Sequence, residues 1–397
     1  MAARQSSRNR AVNIRRVLLS TLLLVFLAAA VVFLAAPYLP RLLYEGYPAQ
    51  RWPASGSHVT VAGSDTDPLP DVSDRTGPLG VRSKALFEER GGHAMLIWQG
   101  GELRTRHFSN GADANTRFNS FSMVKSLIGA LILRAHADGL IADLSNPIGL
   151  YLSNIGDDSL RRVPIERFLT MRSGVALETV DIKATPEAEL KPIEDYALNP
   201  FSPLARLHME GLAPLATDLR SSAENVGRYD YQNVNTAILG RLVSTLYKKP
   251  LELVLSDMIW KPSGAGNAFW RTPGPDLPVS AYCCLFARPG DWVRVGVFLM
   301  HNGTPDRPFL PTSLWNLYFG SSMLGEQLVS GHYGTHVFHN ILDRQGEKLQ
   351  GPFTYMIGRG GQMTYMMPQQ DLVVVRFGEG YPLLHSTLYG AWDSIQP

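Results

Sequence analysis

The chain has 397 residues, of which 45% are hydrophobic and 18% are charged, and this composition excludes a disordered or fibrous protein. Its 37 basic and 35 acidic residues leave a formal net charge of +2, so charge gives no reason to expect a nucleic acid partner. The length suits one large globular domain or two closely packed lobes.

The N-terminus has the pattern of a membrane anchor. Its basic segment, residues 1–16, contains five arginines, and the uncharged apolar run that follows, residues 17–36, has the length of about 20 residues that spans a bilayer. Arginines before the span predict a cytoplasmic N-terminus, hence a single-pass inner-membrane protein whose body is periplasmic or otherwise extracytoplasmic. A cleaved signal peptide is the alternative, since Ala35 and Ala36 suit a cleavage site, but its apolar core is usually about 7–15 residues long.

Residues 37–80 follow this apolar run and are rich in Pro, Gly, Ser and Asp. Such a composition predicts an extended linker that holds the body away from the membrane. The globular domain is then expected over residues 81–397.

The domain begins and ends with strand patterns. The run "HAMLIWQGGELRTRHF", residues 93–108, predicts a hairpin about its Gly-Gly pair, and "GQMTYMM", "PQQD" and "LVVVRFG", residues 361–378, predict a second hairpin. Helical periodicity occupies the middle, from Met123 to an end at Asp138-Gly139 and again from about Asn235, while 383–395 suits a final helix. The pattern predicts an α+β fold: an antiparallel sheet lobe completed by both termini and flanked by helices, with a mostly helical lobe inserted.

Two other segments bear on function. Residues 182–223 form a polar, proline-containing excursion that we expect to build a wall of a substrate cleft. Cys283 and Cys284 are the only cysteines, and because adjacent cysteines rarely bridge each other, we expect two free, buried thiols. The spacing offers no zinc site, and no metal is expected.

Ser122 and Lys125 form the one S-x-x-K pair in the chain, at the start of the first predicted helix. A helix N-terminus favours developing negative charge, and a lysine one turn on shares a face with the serine oxygen. Burial of that face would favour the neutral amine, which can take the serine proton. A serine cap followed by an exposed lysine explains the same residues.

Two further motifs carry polar groups. Tyr231 and Asn233 precede the second helix, where a phenol can move protons and an amide can bind a substrate carbonyl. The alternative is a structural role for both residues, with the Tyr231 ring packed in the core and Asn233 capping the helix. The stretch from Gly358 to Gln362, "GRGGQ", opens the C-terminal hairpin; its glycines would let a substrate lie against the strand, and Arg359 suits a substrate carboxylate. A glycine-rich bulge with a surface arginine is the other interpretation.

Taken in order, these three motifs resemble the serine β-lactamase and penicillin-binding-protein superfamily, in its class C-like branch. The segments "VPIERFLTMRSG" (163–174) and 284–303 resemble further landmarks of the family, and the likeness covers about residues 85–392. It implies Ser122 as the acylated nucleophile, Lys125 as its base, Tyr231 as the proton-transferring partner and Asn233 as a substrate-orienting residue. It also implies an oxyanion hole from the backbone N–H groups of Ser122 and Gln362, and no cofactor.

The third motif departs from the family pattern. The chain has Arg359-Gly360-Gly361 where β-lactamases usually carry Lys-Thr-Gly, so it keeps a cation but lacks the hydroxyl that helps seat a β-lactam carboxylate. The sequences of the motifs are closer to those of the 6-aminohexanoate-dimer hydrolases and esterases of this superfamily. The resemblance therefore implies a serine hydrolase acting on a small ester or amide. A D-alanyl-D-alanine carboxypeptidase or class C β-lactamase is the second interpretation, and a non-catalytic membrane-tethered binding module on the same fold is the third.

Overall fold

The computed structural model describes residues 2–46, 48–64, 77–177, 200–320, 332–380 and 385–395, with the backbone alone for 2–15, 28 and 332. Parts of three predicted segments lie outside the described residues: the first half of the 182–223 excursion, the middle of the 37–80 linker and the first two residues of the C-terminal helix.

A single long helix, α1 (Ala2–Ala35), contains both the basic segment and the apolar run. Its stretch Arg16–Ala35 has a mean hydropathy of 2.9, and within the described part of the chain it is the one helix long and apolar enough to cross a membrane. Signal sequences near an N-terminus share these properties with membrane anchors.

The remaining elements follow in chain order. The strands are β1 (Ser57–Val61), β2 (Gly92–Gln99), β3 (Glu102–Phe108), β4 (Phe118–Asn119), β5 (Ala268–Thr272), β6 (Leu285–Ala287), β7 (Gly303–Thr304), β8 (Arg307–Pro308), β9 (His332–Gly334), β10 (Val337–Leu342), β11 (Gly351–Gly358), β12 (Gln362–Met367) and β13 (Leu372–Gly378). The helices are α2 (Leu39–Glu45), α3 (Val81–Glu89), α4 (Val124–Ala137), α5 (Asp158–Arg161), α6 (Ile165–Leu169), α7 (Pro203–Glu210), α8 (Asn233–Tyr247), α9 (Leu251–Leu255), α10 (Pro289–Met300), α11 (Thr312–Tyr318) and α12 (Ser386–Ile395).

The main sheet has seven strands in the order β3-β2-β13-β12-β11-β10-β9, with antiparallel pairing between neighbours. Both predicted hairpins are present, and β2 pairs directly with β13, so the two ends of the domain meet at the centre of the sheet. The predicted α+β fold is thereby confirmed.

Both faces of the central strands are buried, which explains their β-branched composition. Val373 and Val375 belong to the core shared with α10, and Val374 between them belongs to the core shared with α3 and α12. Alternate side chains of one strand therefore hold the helices on opposite faces of the sheet.

The helical lobe is built around α4, which ends at the predicted Asp138-Gly139. Leu127 and Leu131 of α4 lie in one core with Ile238 and Leu242 of α8, and each of the four is 0% exposed. Because α4 is buried on nearly every side, its first turn is held firmly, and that turn carries Lys125.

The extended linker predicted over residues 37–80 is wrong for its described first part. Residues 39–45 form α2, and β1 pairs with β5 in a four-stranded second sheet of order β1-β5-β6-β4. Trp52 stacks on Phe269 with ring centroids 4.3 Å apart. Proline and glycine content suggested an unpacked chain, but the apolar residues placed among them supply enough buried contacts to fix the segment on the domain.

Candidate active site

Ser122 lies in a short 3-10 turn, residues 121–123, that leads into α4. The turn is anchored at Ser120, whose N–H donates to the Leu285 carbonyl at 2.9 Å and whose Oγ accepts from the Leu285 N–H at 3.2 Å. Phe121 has a φ of +43°, a left-handed conformation that is unfavourable for a phenylalanine, and its N–H donates to Asn119 Oδ1 at 2.8 Å. Strained residues of this kind cluster at active sites, and here the strain immediately precedes the serine.

Lys125 is buried, with 1% of its surface exposed, and its amine has two close partners. Nζ lies 2.8 Å from Ser122 Oγ and donates to the Tyr282 carbonyl at 2.7 Å. The sequence left a capping serine and an exposed lysine open, and the burial and position of Lys125 are incompatible with an exposed lysine. A buried amine in contact with a hydroxyl is the arrangement in which lysine can serve as a base.

Tyr231 is half-buried beside the same amine. Lys125 Nζ lies 5.2 Å from the centroid of the Tyr231 ring and 5.7 Å from that of Tyr282. The Tyr231 ring in turn meets Tyr333 edge-on at 5.9 Å. Burial, with a contribution from the neighbouring Tyr231, raises the pKa of Tyr333 well above its usual range, so Tyr333 presents a neutral phenol to the site.

Asn233 is the first residue of α8 and is half-buried, as expected of a residue at the mouth of a cleft. Gln232, between it and Tyr231, is 1% exposed and has a structural role: its Oε1 accepts from the Leu177 N–H at 3.2 Å and its Nε2 donates to Asp230. Gln232 thus fixes the backbone from which the two functional candidates project.

The segment 169–174, whose wording marked the family, packs against this loop. Ser173 Oγ donates to Asn235 Oδ1 at 2.5 Å, and the Met171 carbonyl accepts from the Asp230 N–H at 2.8 Å. Residues 169–174 therefore hold α8 and the Tyr231 loop in place.

His336 connects α4 and α8 and was not singled out from the sequence. Its Nδ1 contacts the Leu169 carbonyl at 2.8 Å, its Nε2 contacts Thr236 Oγ1 of α8 at 3.0 Å, and its carbonyl accepts from Ser126 Oγ of α4 at 2.6 Å. A donor is required opposite the Leu169 carbonyl, so Nδ1 carries the proton and Nε2 accepts from the threonine. Burial lowers the pKa of His336 to about 3, and the imidazole is neutral near pH 7.

The glycine-rich stretch forms the turn between β11 and β12. A Cβ on Gly358 would collide with the Ser120 carbonyl oxygen, so only glycine allows β11 to lie against the turn that carries Ser122. Gly360 and Gly361 have φ values of +82° and +73°, which also favour glycine. Arg359 is half-buried at the tip of this turn.

Gln362 is 2% exposed, and its side chain is bound to the neighbouring strand. Its Nε2 donates to the Gly378 carbonyl at 2.7 Å and its Oε1 accepts from the Gly378 N–H at 3.0 Å, while Nε2 also donates to the Arg359 carbonyl at 2.9 Å. The side chain of Gln362 therefore fixes the shape of the hairpin, and the predicted role of its backbone N–H as an oxyanion donor stays a prediction.

The prediction of two free cysteines is wrong, because Cys283 and Cys284 are joined by a disulfide. The loop around them is held tightly: Trp270 Nε1 donates to the carbonyls of Ser280 at 3.1 Å and Cys283 at 2.9 Å. Cys284 has a φ of +70°. This fixed reversal of the chain brings two adjacent residues into a geometry that an extended dipeptide does not offer. The disulfide lies between Tyr282 and Leu285, the residues that hold Lys125 and Ser120.

Two of the three comparisons with known proteins found matches. The family model for Beta-lactamase matches residues 84–382. A protein of Bacillus anthracis provisionally designated a 6-aminohexanoate-dimer hydrolase aligns with a TM-score of 0.63 at 17% identity, covering 85% of this chain and 89% of that one. A penicillin-binding protein of Bacillus halodurans aligns at 0.58 and 16% identity, covering 78% and 99%. A class C β-lactamase of Rhodobacter sphaeroides aligns at 0.54 and 14% identity, covering 79% and 98%. No curated protein matches.

Proposed function

Because the chain belongs to the beta-lactamase family, a family of hydrolases, we propose that it is a serine hydrolase that cleaves a small ester or amide through an acyl-enzyme intermediate. One observation carries the proposal: the Lys125 amine, 1% exposed, lies 2.8 Å from the half-buried Ser122 hydroxyl. A general base must lie within about 2.6–3.2 Å of the atom that carries the proton it removes, and Lys125 Nζ and Ser122 Oγ meet that requirement.

In the proposed reaction, Ser122 Oγ bonds to the substrate carbonyl carbon while its proton passes to Lys125 Nζ. The resulting tetrahedral oxyanion collapses, the bond to the leaving group breaks, and the leaving alcohol or amine takes a proton through Tyr231. Water then attacks the acyl-serine ester, losing its proton to the same pair, and the acid is released as Ser122 is reprotonated. Each step conserves its protons, and none needs a cofactor.

The oxyanion requires backbone donors, and we propose the N–H groups of Ser122 and Gln362. Gln362 opens β12 directly after the glycine-rich turn and pairs with Gly358. Because a Cβ on Gly358 would meet the Ser120 carbonyl, this hairpin lies against the turn that carries Ser122, which supports the choice of Gln362. One such donor is typically worth about 3–4 kcal/mol.

The side chains of Asn233 and Arg359 are proposed to orient the substrate, with the guanidinium suited to a carboxylate. Arg359-Gly360-Gly361 lacks the hydroxyl of the usual Lys-Thr-Gly, which favours a linear ester or amide over a β-lactam. We further propose that α1 is retained as an inner-membrane anchor, with the domain on the extracytoplasmic side.

The test is p-nitrophenyl ester turnover by a Ser122→Ala variant, with the exposed Ser153→Ala as the matched control. We expect Ser122→Ala to abolish turnover and the intact-mass signal of the acyl-enzyme, and Ser153→Ala to retain both. Undiminished turnover in a folded Ser122→Ala protein would refute the mechanism.

Two probes separate the alternatives. Labelling of Ser122 by a fluorophosphonate would exclude a non-catalytic binding module. Covalent labelling by a fluorescent penicillin would favour a carboxypeptidase or β-lactamase over the proposed esterase or amidase.

A further inference from the structure

We propose that one face of the domain rests on the surface of the lipid bilayer. We call it the α2 face, and it is formed by four exposed residues on or near α2: Leu43, Tyr44, Phe201 and Leu277. The inference goes beyond hydrolysis and rests on retention of α1 as the membrane anchor.

The connection between α1 and α2 is too short to let the two helices move far apart. Only residues 36–38 separate the two helices, and three residues span at most about 10 Å. Ala36 and Leu39 are 7% and 4% exposed and share a core with Ala205 and Met209 of α7. Because the headgroup layer is about 5–8 Å thick on each side of the bilayer, a body that begins to pack at the last turn of the span must lie at this layer.

Helix α2 is fixed to the domain by polar contacts as well. The Arg41 guanidinium donates to the carbonyls of Met209 and Pro273, and Tyr38 Oη donates to the Pro200 carbonyl at 3.0 Å. At the end of α2, Glu45 pairs with Arg271 at 2.7 Å, with side chains 9% and 5% exposed. The domain therefore cannot swing away from α2, and the orientation of α2 at the membrane sets that of the body.

Four residues on and around α2 are apolar or aromatic and exposed to solvent. Leu43 and Tyr44 are 74% and 87% exposed on α2 itself. Phe201, 63% exposed, follows Pro200, whose carbonyl accepts from Tyr38. Leu277, 40% exposed, lies beside Gly274, close to the Arg41 guanidinium. Large apolar side chains gathered where an apolar span enters the body match the interfacial belt of membrane proteins, which makes lipid the occupant of this face.

The test uses the full chain in liposomes and four introduced cysteines carrying an environment-sensitive fluorophore. Tyr44→Cys and Phe201→Cys report on the α2 face. Val81→Cys and Leu150→Cys, whose native residues are 88% and 69% exposed on other segments, are the matched controls. Nitroxide-headgroup lipid should quench the first pair and leave the second pair at the level of nitroxide-free liposomes.

Equal quenching at all four positions, or quenching at none, would overturn the proposal. So would an intact mass showing that the purified chain begins after α1. The same quenching is expected in a Ser122→Ala background, so this result is independent of whether the protein is a hydrolase.

Discussion

Replacement of Lys125 by methionine tests the proposed base directly, because methionine keeps a long side chain and removes the amine. Loss of a general base typically lowers kcat by about 10²–10⁴-fold, which corresponds to about 3–5 kcal/mol of transition-state stabilisation. We expect the variant to fall in this range on p-nitrophenyl esters, with a matching loss of the acylation burst in stopped-flow traces.

The effect of Lys125→Met on the free energy of unfolding should be smaller, because two contributions of opposite sign partly cancel. The Tyr282 carbonyl loses its 2.7 Å hydrogen bond from Lys125, and the loss of one partner of a buried hydrogen bond costs about 1–3 kcal/mol. Methionine also removes the cost of burying a polar amine that is 1% exposed, which opposes this loss. The free energy of unfolding in urea should therefore fall by less than about 3 kcal/mol, leaving the variant folded.

The matched control is Lys84→Met, since Lys84 is 56% exposed and has only a 3.8 Å ion pair with Glu88. Exposed pairs contribute about 0–1 kcal/mol, so both turnover and stability should stay close to those of the parent protein. A folded Lys125→Met variant that retains kcat within about tenfold of the parent would refute the assignment of Lys125 as the base.

Three further outcomes follow from the site. Gly358→Ala should lower ester turnover roughly tenfold or more, about 1.4 kcal/mol, because the added Cβ would displace the turn at Ser120. Gly77→Ala, whose added Cβ would have no atom within 4 Å, should leave turnover unchanged. Equal turnover in the two variants would contradict the close approach of Gly358 to Ser120. His336 stays neutral when folded but binds a proton below about pH 6.5 when unfolded, so stability falls as pH drops from 6.5 towards 3, by at most about 1.4 kcal/mol per unit from this residue. In urea titrations at pH 4–6.5, His336→Gln should show a shallower slope, and an unchanged slope would count against this origin. Reduction of the disulfide by an excess of a small dithiol, which becomes oxidised as two thiols form, should lower ester turnover in the parent protein. The same treatment should have no effect on a Cys283→Ser/Cys284→Ser double variant, with thiol quantification to follow the reduction. Equal sensitivity of both proteins would show that turnover does not depend on the disulfide.

The elements that the sequence predicted well are those with a strong local pattern. Helix α4 was expected from apolar spacing that begins at Met123 and from a stop signal at Asp138-Gly139, and in the structure it spans Val124–Ala137. Both hairpins were predicted from glycine or proline turns between apolar runs. The proximity of Ser122 and Lys125 also follows from local geometry, since residues three apart on a helix share a face.

The features that were missed depend on contacts between distant segments. The position of His336 beside Leu169 and Thr236 has no local signal, because the three residues meet only after both lobes have formed. The 37–80 segment was expected to be extended from its composition, although partners from β5 and α7 bury parts of it. The disulfide at Cys283 escaped for a related reason, since the turn that permits it is held by Trp270.

The pairing of β2 with β13 has a consequence for when this hydrolase becomes active during its synthesis. The strand that begins the domain finds its partner only near the C-terminus, so the sheet cannot close on a growing chain, and folding that relies on such distant contacts is slow. The proposed nucleophile Ser122 and helix α4 are synthesised early, but the Gly358 hairpin that would complete the site is among the last segments to emerge. We therefore expect a chain that lacks β13 to be inactive, and the proposed hydrolysis to begin only once this strand has left the ribosome.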